Sequence, residues 1–226
     1  MHRVQKLMSN YGYCSRRKAE KLIEEGKVKV NGKTISIGDK ASESDKITVN
    51  NELISKQKKV YLMLHKPVGC VTAVHDQQYR TVMHYIKTEE RVFPVGRLDY
   101  NTSGLLLLTN DGDLANKIMH PRYETKKTYV AFIENPITSS QLKSIKSGIE
   151  LEDGKTRPAA VNVLKNKIIE LTIHEGRNRI VRRMLEEIGV KITSLKRTKI
   201  GKLSLGDLKP KEYRILSEKD IEKVFS

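Results

Sequence analysis

An arginine and an aspartate lie close together in a glycine-marked stretch, Gly96-Arg97-Leu98-Asp99, which opens the segment GRLDYNTSGLLLLTNDG. Apolar runs on both sides, VFPVG and GLLLLT, predict strands, so the Asp99 carboxylate is expected in a loop between them. Loops held by a rigid scaffold carry a large share of catalytic residues. The Asp99 carboxylate is therefore a candidate for catalysis.

Two simpler interpretations of Asp99 remain open at this point. The segment D-x-N-x-S-G from Asp99 to Gly104 matches the opening of a calcium loop, but Asn110 occupies the twelfth position, where a bidentate Glu is required. The flanking segments are also predicted strands rather than helices. Asp99 as an ordinary turn residue is the stronger alternative, because Asp is common in turns.

Motifs for other kinds of catalysis are missing from the chain. A second carboxylate near Asp99 could come only from Asp111 or Asp113, and neither has a supporting motif. The sequence has no G-x-S-x-G, no Cys-His pattern and no G-x-x-x-x-G-K-[ST] phosphate loop. A lone aspartate beside an arginine therefore favours chemistry that needs no bound cofactor.

The charge balance favours a nucleic-acid partner. The 43 Lys and Arg residues exceed the 27 Asp and Glu residues, a net charge of +16, and solubility alone needs much less. Such an excess attracts polyanions. The start of the chain lacks a signal-peptide pattern, and the apolar run 105–108 is too short to cross a bilayer. We therefore expect a cytoplasmic RNA or DNA binder without a membrane partner.

Cysteine and histidine usage argues against a metal site. Cys14 and Cys70 lack C-x-x-C spacing, and the six histidines are scattered singly. We expect no protein-held metal, and free cysteines suit a reducing compartment.

The first 58 residues predict a small basic domain of two helices and a hairpin. An apolar face recurs from Val4 to Tyr11, Ser15 is a good N-cap for a second helix that Gly26 ends, and Asn31-Gly32 favours a type I′ turn. Ile47 to Val49 predicts a last strand. This segment holds 13 Lys and Arg residues against seven Asp and Glu residues. Its SRRKAEKLIEEGKVKVNGK run resembles the small αL-type RNA-binding domain first known from a primary-binding protein of the small ribosomal subunit.

Residues 60–226 predict a larger, strand-rich domain. Strands and helices do not alternate regularly there, so we expect an α+β fold with a mainly antiparallel mixed sheet and flanking helices. Helices are expected at 81–86, 111–119, 138–146, 217–225 and after residue 176; strands are expected at 61–65, 91–96, 104–109, 127–133, 159–164, 167–173 and 190–200. In the strands at 91–96 and 104–109, apolar and polar residues show little alternation, which predicts burial on both faces.

Three separated motifs resemble those of one enzyme family. GRLDYNTSGLLLLTNDG, KKTY at 126–129 and EGRNRIVRRM at 175–184 occur in this order behind the αL-type domain. Over essentially its whole length the chain is similar to the RsuA/RluB family of ribosomal RNA pseudouridine synthases. The resemblance implies a cofactor-free isomerase that detaches a uracil base at N1 and rejoins it to the ribose through C5.

The resemblance also implies roles for four residues. Asp99 matches the family's catalytic aspartate, and Arg182 matches the cation that pairs with it. Tyr129 matches a tyrosine that stacks on the target base. Arg97 is expected to assist base flipping or to hold phosphates, since extruding a base costs a few kcal/mol.

Further cations are expected to contact RNA phosphates. In the catalytic domain these are Lys66, Arg177, Arg179 and Arg183, and in the small domain Arg16 and Arg17. Ile180 departs from the polar residue that relatives often carry before VRR or VKR.

The expected function is site-specific formation of pseudouridine in ribosomal RNA, met as free RNA or as an assembly intermediate, by a monomeric enzyme. The NRIVRRM helix start is similar to large-subunit enzymes, whereas RPAAVNVL and LKPKEYRIL are as similar to the small-subunit one. Large-subunit rRNA is the favoured target. Small-subunit rRNA, transfer RNA, and a non-catalytic role in ribosome assembly are the alternatives.

Overall fold

The computed structural model describes all residues from Met1 to Ser226. They form two compact units. The first comprises 1–61, 87–93 and 109–114, and the second comprises 62–86, 94–108 and 115–226.

Two helices open the first unit. Val4, Leu7 and Met8 form the buried face of the first helix, as their helical spacing predicts. The Ser15 side chain caps the second helix by accepting a hydrogen bond of 3.2 Å from the backbone N–H of Lys18. The elements of this N-terminal region are β1 (His2–Arg3), α1 (Val4–Asn10), α2 (Arg16–Glu24), β2 (Val28–Val30), β3 (Lys33–Thr34), β4 (Lys40–Ala41), β5 (Ile47–Val49) and β6 (Glu52–Leu53).

The predicted hairpin is present between β2 and β3. Asn31 and Gly32 have φ angles of 50° and 82°, which is the backbone conformation that a type I′ turn requires at both central residues. Four strands form a small sheet in the order β3-β2-β5-β6, and all its pairings are antiparallel.

Residues 109–114 join this unit through side-chain contacts. Asp111 accepts hydrogen bonds from Lys59 at 2.6 Å and from the Tyr61 hydroxyl at 3.1 Å. Asp113 pairs with Lys6 of α1 at 2.7 Å. These contacts hold residues 109–114 against the N-terminal segment.

The remaining elements follow in chain order. Short 3₁₀ turns occur at Val82–Tyr85, Pro121–Tyr123 and Lys223–Phe225. The others are β7 (Tyr61–Lys66), β8 (Phe93–Val95), β9 (Thr102–Thr109), α3 (Gly112–Met119), β10 (Lys127–Ile133), α4 (Ser139–Ser147), β11 (Ala160–Lys165), β12 (Ile168–Ile173), α5 (Ile180–Glu187), β13 (Ile192–Ile200), β14 (Leu203–Ser204), β15 (Tyr213–Ile215) and α6 (Glu218–Glu222).

A nine-stranded sheet organises these elements. Its order is β11-β12-β10-β13-β9-β7-β15, with β14 added beside β13 and β8 beside β9. The pair β9 and β13 is parallel, whereas the pairs formed by β10, β11 and β12 are antiparallel. The predicted α+β class with a mainly antiparallel mixed sheet is confirmed.

Burial explains the strongest strand and helix patterns. The four leucines at 105–108 of β9 are at most 3% exposed, which confirms burial on both faces. Strand β8 is shorter than expected, and only Val95 is buried within it. Helix α5 packs Ile180, Val181, Met184 and Leu185 into the core, as its apolar spacing predicts. None of the helices is long and apolar enough to cross a bilayer.

Candidate active site

A cavity of about 450 Å³ lies in the second unit and contains the residues of all three sequence motifs. Asp99, Tyr129 and Arg182 line it together, although they are distant in sequence. Arg97, Arg177 and Arg179 line the same cavity. Its size falls within the range of small-ligand pockets.

The loop that carries Asp99 is held from beneath by two side chains. Lys66, at the end of β7, donates from Nζ to the backbone carbonyl oxygens of Asp99 at 2.9 Å and Thr102 at 3.0 Å. Thr72 accepts from the backbone N–H of Leu98 at 3.1 Å and donates to its carbonyl oxygen at 2.7 Å. These bonds fix the backbone on both sides of the Asp99 side chain.

The burial of Lys66 corrects the expectation that it contacts RNA phosphate. Its side chain is 0% exposed, and Nζ donates a third hydrogen bond to the Pro67 carbonyl oxygen at 3.0 Å. Burial lowers the pKa of this ammonium group from its ordinary value. Because all three donors are used inside the protein, Lys66 positions the Asp99 loop.

Arg182 faces the Asp99 carboxylate. Its Nη2 donates to the backbone carbonyl oxygen of Asn101 at 2.8 Å, and Nε lies 3.9 Å from Oδ2 of Asp99. This Nε is buried and has no hydrogen-bond partner. The arrangement places a fixed cation beside a carboxylate that remains 31% exposed. The guanidinium therefore presents a positive charge to the carboxylate without covering it.

Tyr129 provides an aromatic wall of the cavity. It lies on β10, is 8% exposed, and its hydroxyl forms no hydrogen bond within the chain. A flat, buried ring in the wall of a cavity suits stacking against a nucleobase.

Three of the arginines expected to contact RNA form pairs inside the protein. Nη1 of Arg177 lies 2.9 Å from Oδ1 of Asp153, and its Nε donates to Glu175 at 2.8 Å. Arg183 also pairs with Asp153, and these hydrogen bonds hold the pKa of the Asp153 carboxyl below its usual range. Arg177 and Arg183 are therefore partly neutralised by Asp153 within the protein. Arg179 makes a looser pair with Glu186 at 3.8 Å.

Arg97 has no such partner. Its side chain is exposed at the cavity, with no ion pair or hydrogen bond within the chain. Arg16 and Arg17 are likewise exposed at the start of α2 in the first unit. These three guanidinium groups are open to an anion.

Two further cations in the cavity wall were not among the predicted site residues. Lys127 lies two positions before Tyr129 on β10, and Arg197 pairs with Tyr129 in the register of β10 and β13. Alternation along a strand puts Lys127 and Tyr129 on one face, and a directly opposite residue shares that face. Lys127 belongs to the KKTY motif, so the alternation of side chains along that strand could have predicted its place in the cavity. Arg197 could be placed there only once the pairing of β10 with β13 was known.

Gly104 allows the close strand approach that brings Arg197 to the cavity. It has a φ of 112°, and a Cβ atom there would lie 2.2 Å from the carbonyl oxygen of Arg197. Because no side chain fits, the glycine of the GRLDYNTSG segment is required for the parallel pairing of β9 and β13.

Two family models match the chain. Residues 60–187, more than half of the chain, match the RNA pseudouridylate synthase family. Residues 2–47 match the S4 domain.

Named relatives are similar over nearly the whole sequence. The ribosomal large subunit pseudouridine synthase B of Bacillus subtilis (strain 168) is 46% identical, with 99% of this chain and 96% of that protein covered. The dual-specificity RNA pseudouridine synthase RluF of Escherichia coli (strain K12) is 34% identical, with 99% and 78% covered.

A solved structure shares the fold. The crystal structure of a pseudouridylate synthase superposes with a TM-score of 0.74 at 33% identity, and covers 99% of this chain and 100% of that one. With the motifs and the cavity, these similarities establish that the chain belongs to the RNA pseudouridine synthase family, of the RsuA/RluB type, and is an isomerase with an S4 domain at its N-terminus.

Proposed function

We propose that this enzyme converts one uridine of large-subunit ribosomal RNA to pseudouridine. The observation that carries the proposal is the cavity in which Asp99, Arg182 and Tyr129 meet. The relative named a ribosomal large subunit synthase supports the target, because its identity of 46% exceeds the 34% of the dual-specificity relative. The net charge of +16 fits a polyanionic substrate.

Asp99 is the proposed nucleophile. During the reaction the bond between C1′ and N1 breaks and a bond between C1′ and C5 forms, while the C5 proton is lost and N1 gains one. An ionised carboxylate can form the transient covalent bond that holds one fragment in place. Arg182 places a positive charge beside the Asp99 carboxylate.

Tyr129 and Arg97 are proposed to hold the displaced uridine. The Tyr129 ring stacks on the uracil base within the cavity. Arg97, which is exposed and unpaired, binds backbone phosphate beside the flipped nucleotide, and Arg179 adds a second contact. Contacts of this kind offset the cost of unstacking the base.

The two parts of the chain are proposed to have separate roles, RNA docking and catalysis. Residues 1–58 bind structured RNA through Arg16 and Arg17, and residues 60–226 carry out the isomerisation. The enzyme acts as a cytoplasmic monomer on free rRNA or on an assembly intermediate.

Mapping of rRNA pseudouridines tests the target. Carbodiimide treatment blocks primer extension at pseudouridine, so rRNA from cells with and without the gene is compared along both subunits. The proposal expects one stop in large-subunit rRNA to disappear with the gene and to return when the purified enzyme is added. A lost stop in small-subunit rRNA or transfer RNA would move the target, and no lost stop would favour a non-catalytic assembly role.

A further inference from the structure

We propose that Lys127 and Arg197 form an anion site that stabilises the negative charge on the uracil ring while it is detached from the ribose. The inference rests on the proposed isomerisation and assigns it two further catalytic residues. Neither residue belongs to the set of Asp99, Arg182 and Tyr129.

The two cations lie in the wall of the cavity in which the base is proposed to bind. Lys127 and Arg197 both line the cavity, on the strand face that carries Tyr129. Arg197 is 3% exposed, and its Nε is fixed by the backbone carbonyl oxygen of Leu105 at 2.8 Å. Its Nη2 is buried and has no hydrogen-bond partner. A buried donor without a partner is rare and calls for a physical explanation.

No carboxylate neutralises this pair. Lys127 donates to the backbone carbonyl oxygen of Thr125 at 3.0 Å, and neither Lys127 nor Arg197 forms an ion pair. The acidic residues that line the cavity are Asp99 and Glu175. Asp99 faces Arg182, and Glu175 accepts from Arg177 and from the backbone N–H of Arg157.

The arrangement is electrostatically costly in the absence of a ligand. Burial, with a contribution from the nearby Arg197 charge, lowers the pKa of Lys127 to about 8. Two like charges in one partly buried wall repel each other, so an anion bound between them would relieve the repulsion. The cavity therefore holds a prepared site for negative charge.

The uracil ring fits this site better than a backbone phosphate does. Arg197 is almost wholly enclosed and Lys127 is only partly exposed, whereas Arg97 and Arg179 offer exposed guanidinium groups to the sugar-phosphate chain. Lys127 and Arg197 also lie on the face of Tyr129, the residue proposed to stack on the base.

The chemistry of the reaction supplies the anion. When the C1′–N1 bond breaks, its electron pair leaves with N1 and spreads onto the O2 and O4 carbonyl oxygens of the ring. Fixed cations that meet this charge lower the barrier because they interact more strongly with the departing anion than with the neutral base. The charge leaves the ring when C5 bonds to C1′ and the C5 proton is exchanged for one on N1.

The test combines variants that remove or keep the positive charge at Lys127 with two substrates whose bases differ in how readily they leave as anions. Lys127→Met, Lys127→Arg and the exposed neighbour control Lys126→Met are assayed in single turnover. The substrates are two RNAs that differ only in uridine or 5-fluorouridine at the target. The RNA is digested with nuclease, and chromatography measures how much of the original nucleoside has been lost. This readout serves both substrates because the C1′–N1 bond breaks in each of them. Fluorine withdraws electron density, so the fluorinated base departs with less need of external stabilisation.

With uridine, Lys127→Met is expected to slow cleavage on the order of 100-fold. With 5-fluorouridine the defect should be about tenfold smaller. Lys127→Arg should retain most of the rate, and Lys126→Met should match the wild type on both RNAs. If Lys127→Met slows cleavage of the two RNAs by the same factor, the anion site is overturned, because a residue with a merely structural role would slow both substrates equally.

Two controls keep the outcomes distinct. An inactive wild-type enzyme on cognate uridine RNA would refute the proposed function, and the anion site with it, whereas an active wild type with equal defects refutes the anion site alone. Circular dichroism and thermal melting check that the variants fold. If Lys127→Met fails this check, Lys127→Gln and Arg197→Gln enter the same comparison, with the same expected and overturning results.

Discussion

Arg182 holds one buried guanidinium nitrogen 3.9 Å from the carboxylate of Asp99, and that nitrogen has no hydrogen-bond partner. The other end of the guanidinium is fixed by the carbonyl oxygen of Asn101, two residues after Asp99. The cation is therefore anchored to the same turn as the carboxylate. It is prepared to hold charge at Asp99 without closing the carboxylate off from a substrate.

Replacing Arg182 should impair catalysis more than binding. Arg182→Met leaves Asp99 without its cation and is expected to lower kcat by about 10²- to 10³-fold. Arg182→Lys should recover only part of the rate, because an ammonium group lacks the planar fork that serves Asn101 and Asp99 together. Single-turnover kinetics and RNA affinity measure the two effects. A kcat for Arg182→Met close to that of the wild type would exclude this role.

Lys66 should prove to be a stabilising residue. Lys66→Met leaves three buried carbonyl oxygens without their donor, and we expect the free energy of unfolding to fall by about 2 to 4 kcal/mol. Urea denaturation measures the loss. The exposed Lys143→Met, on α4, is the control and should change stability little. An unaltered midpoint for Lys66→Met would show that these bonds contribute no net stability.

Lys127 should lower stability near neutral pH. Its folded pKa of about 8 lies below the ordinary 10.5, so between these values the unfolded chain binds a proton that the folded chain does not. The free energy of unfolding attributable to Lys127 therefore rises with pH across this window, by up to about 3 kcal/mol. Lys127→Met should be more stable than the wild type at pH 7, and the difference should shrink toward pH 10.5. A constant difference across the window would contradict the shifted pKa.

The first unit should contribute affinity rather than turnover. Charge reversal of Arg16 and Arg17 to Glu removes exposed cations from α2, so RNA binding should weaken and log Kd should depend less steeply on log salt. Turnover at saturating RNA should remain close to that of the wild type. Reversal of Lys143 and Lys146 on α4 provides a control with the same change of net charge. Equal losses of affinity in the two double variants would indicate a general charge effect.

The sequence predicted most of the local structure because its patterns are strong. The apolar spacing of α5, the capping serine of α2 and the Asn31-Gly32 turn each depend on nearby residues, and each is confirmed. The sequence also predicted that Asp99 lies in a loop between two strands, as it does between β8 and β9.

Tertiary packing decided what the sequence could not. Lys66 precedes Pro67, and a lysine beside a proline is typical of an exposed turn. In the structure its side chain is buried instead, and it contacts carbonyl oxygens of the Asp99 loop, which lies more than 30 residues away in the sequence. Arg197 occurs in an alternating, basic strand, and its burial follows from the β9–β13 pairing that Gly104 permits. Sheet order of this kind is a property of long-range contacts, so local periodicity does not contain it.

The central claim is that the Asp99 carboxylate performs the isomerisation, and Asp99→Asn tests it most directly. The amide keeps the size of the side chain and removes the nucleophile, so pseudouridine formation in cognate large-subunit rRNA should fall by at least about 10³-fold, with RNA affinity nearly intact. Pseudouridine is measured in single turnover with enzyme in excess, and affinity is measured on the same RNA. Pseudouridine formation by Asp99→Asn at a rate near that of the wild type would contradict the account.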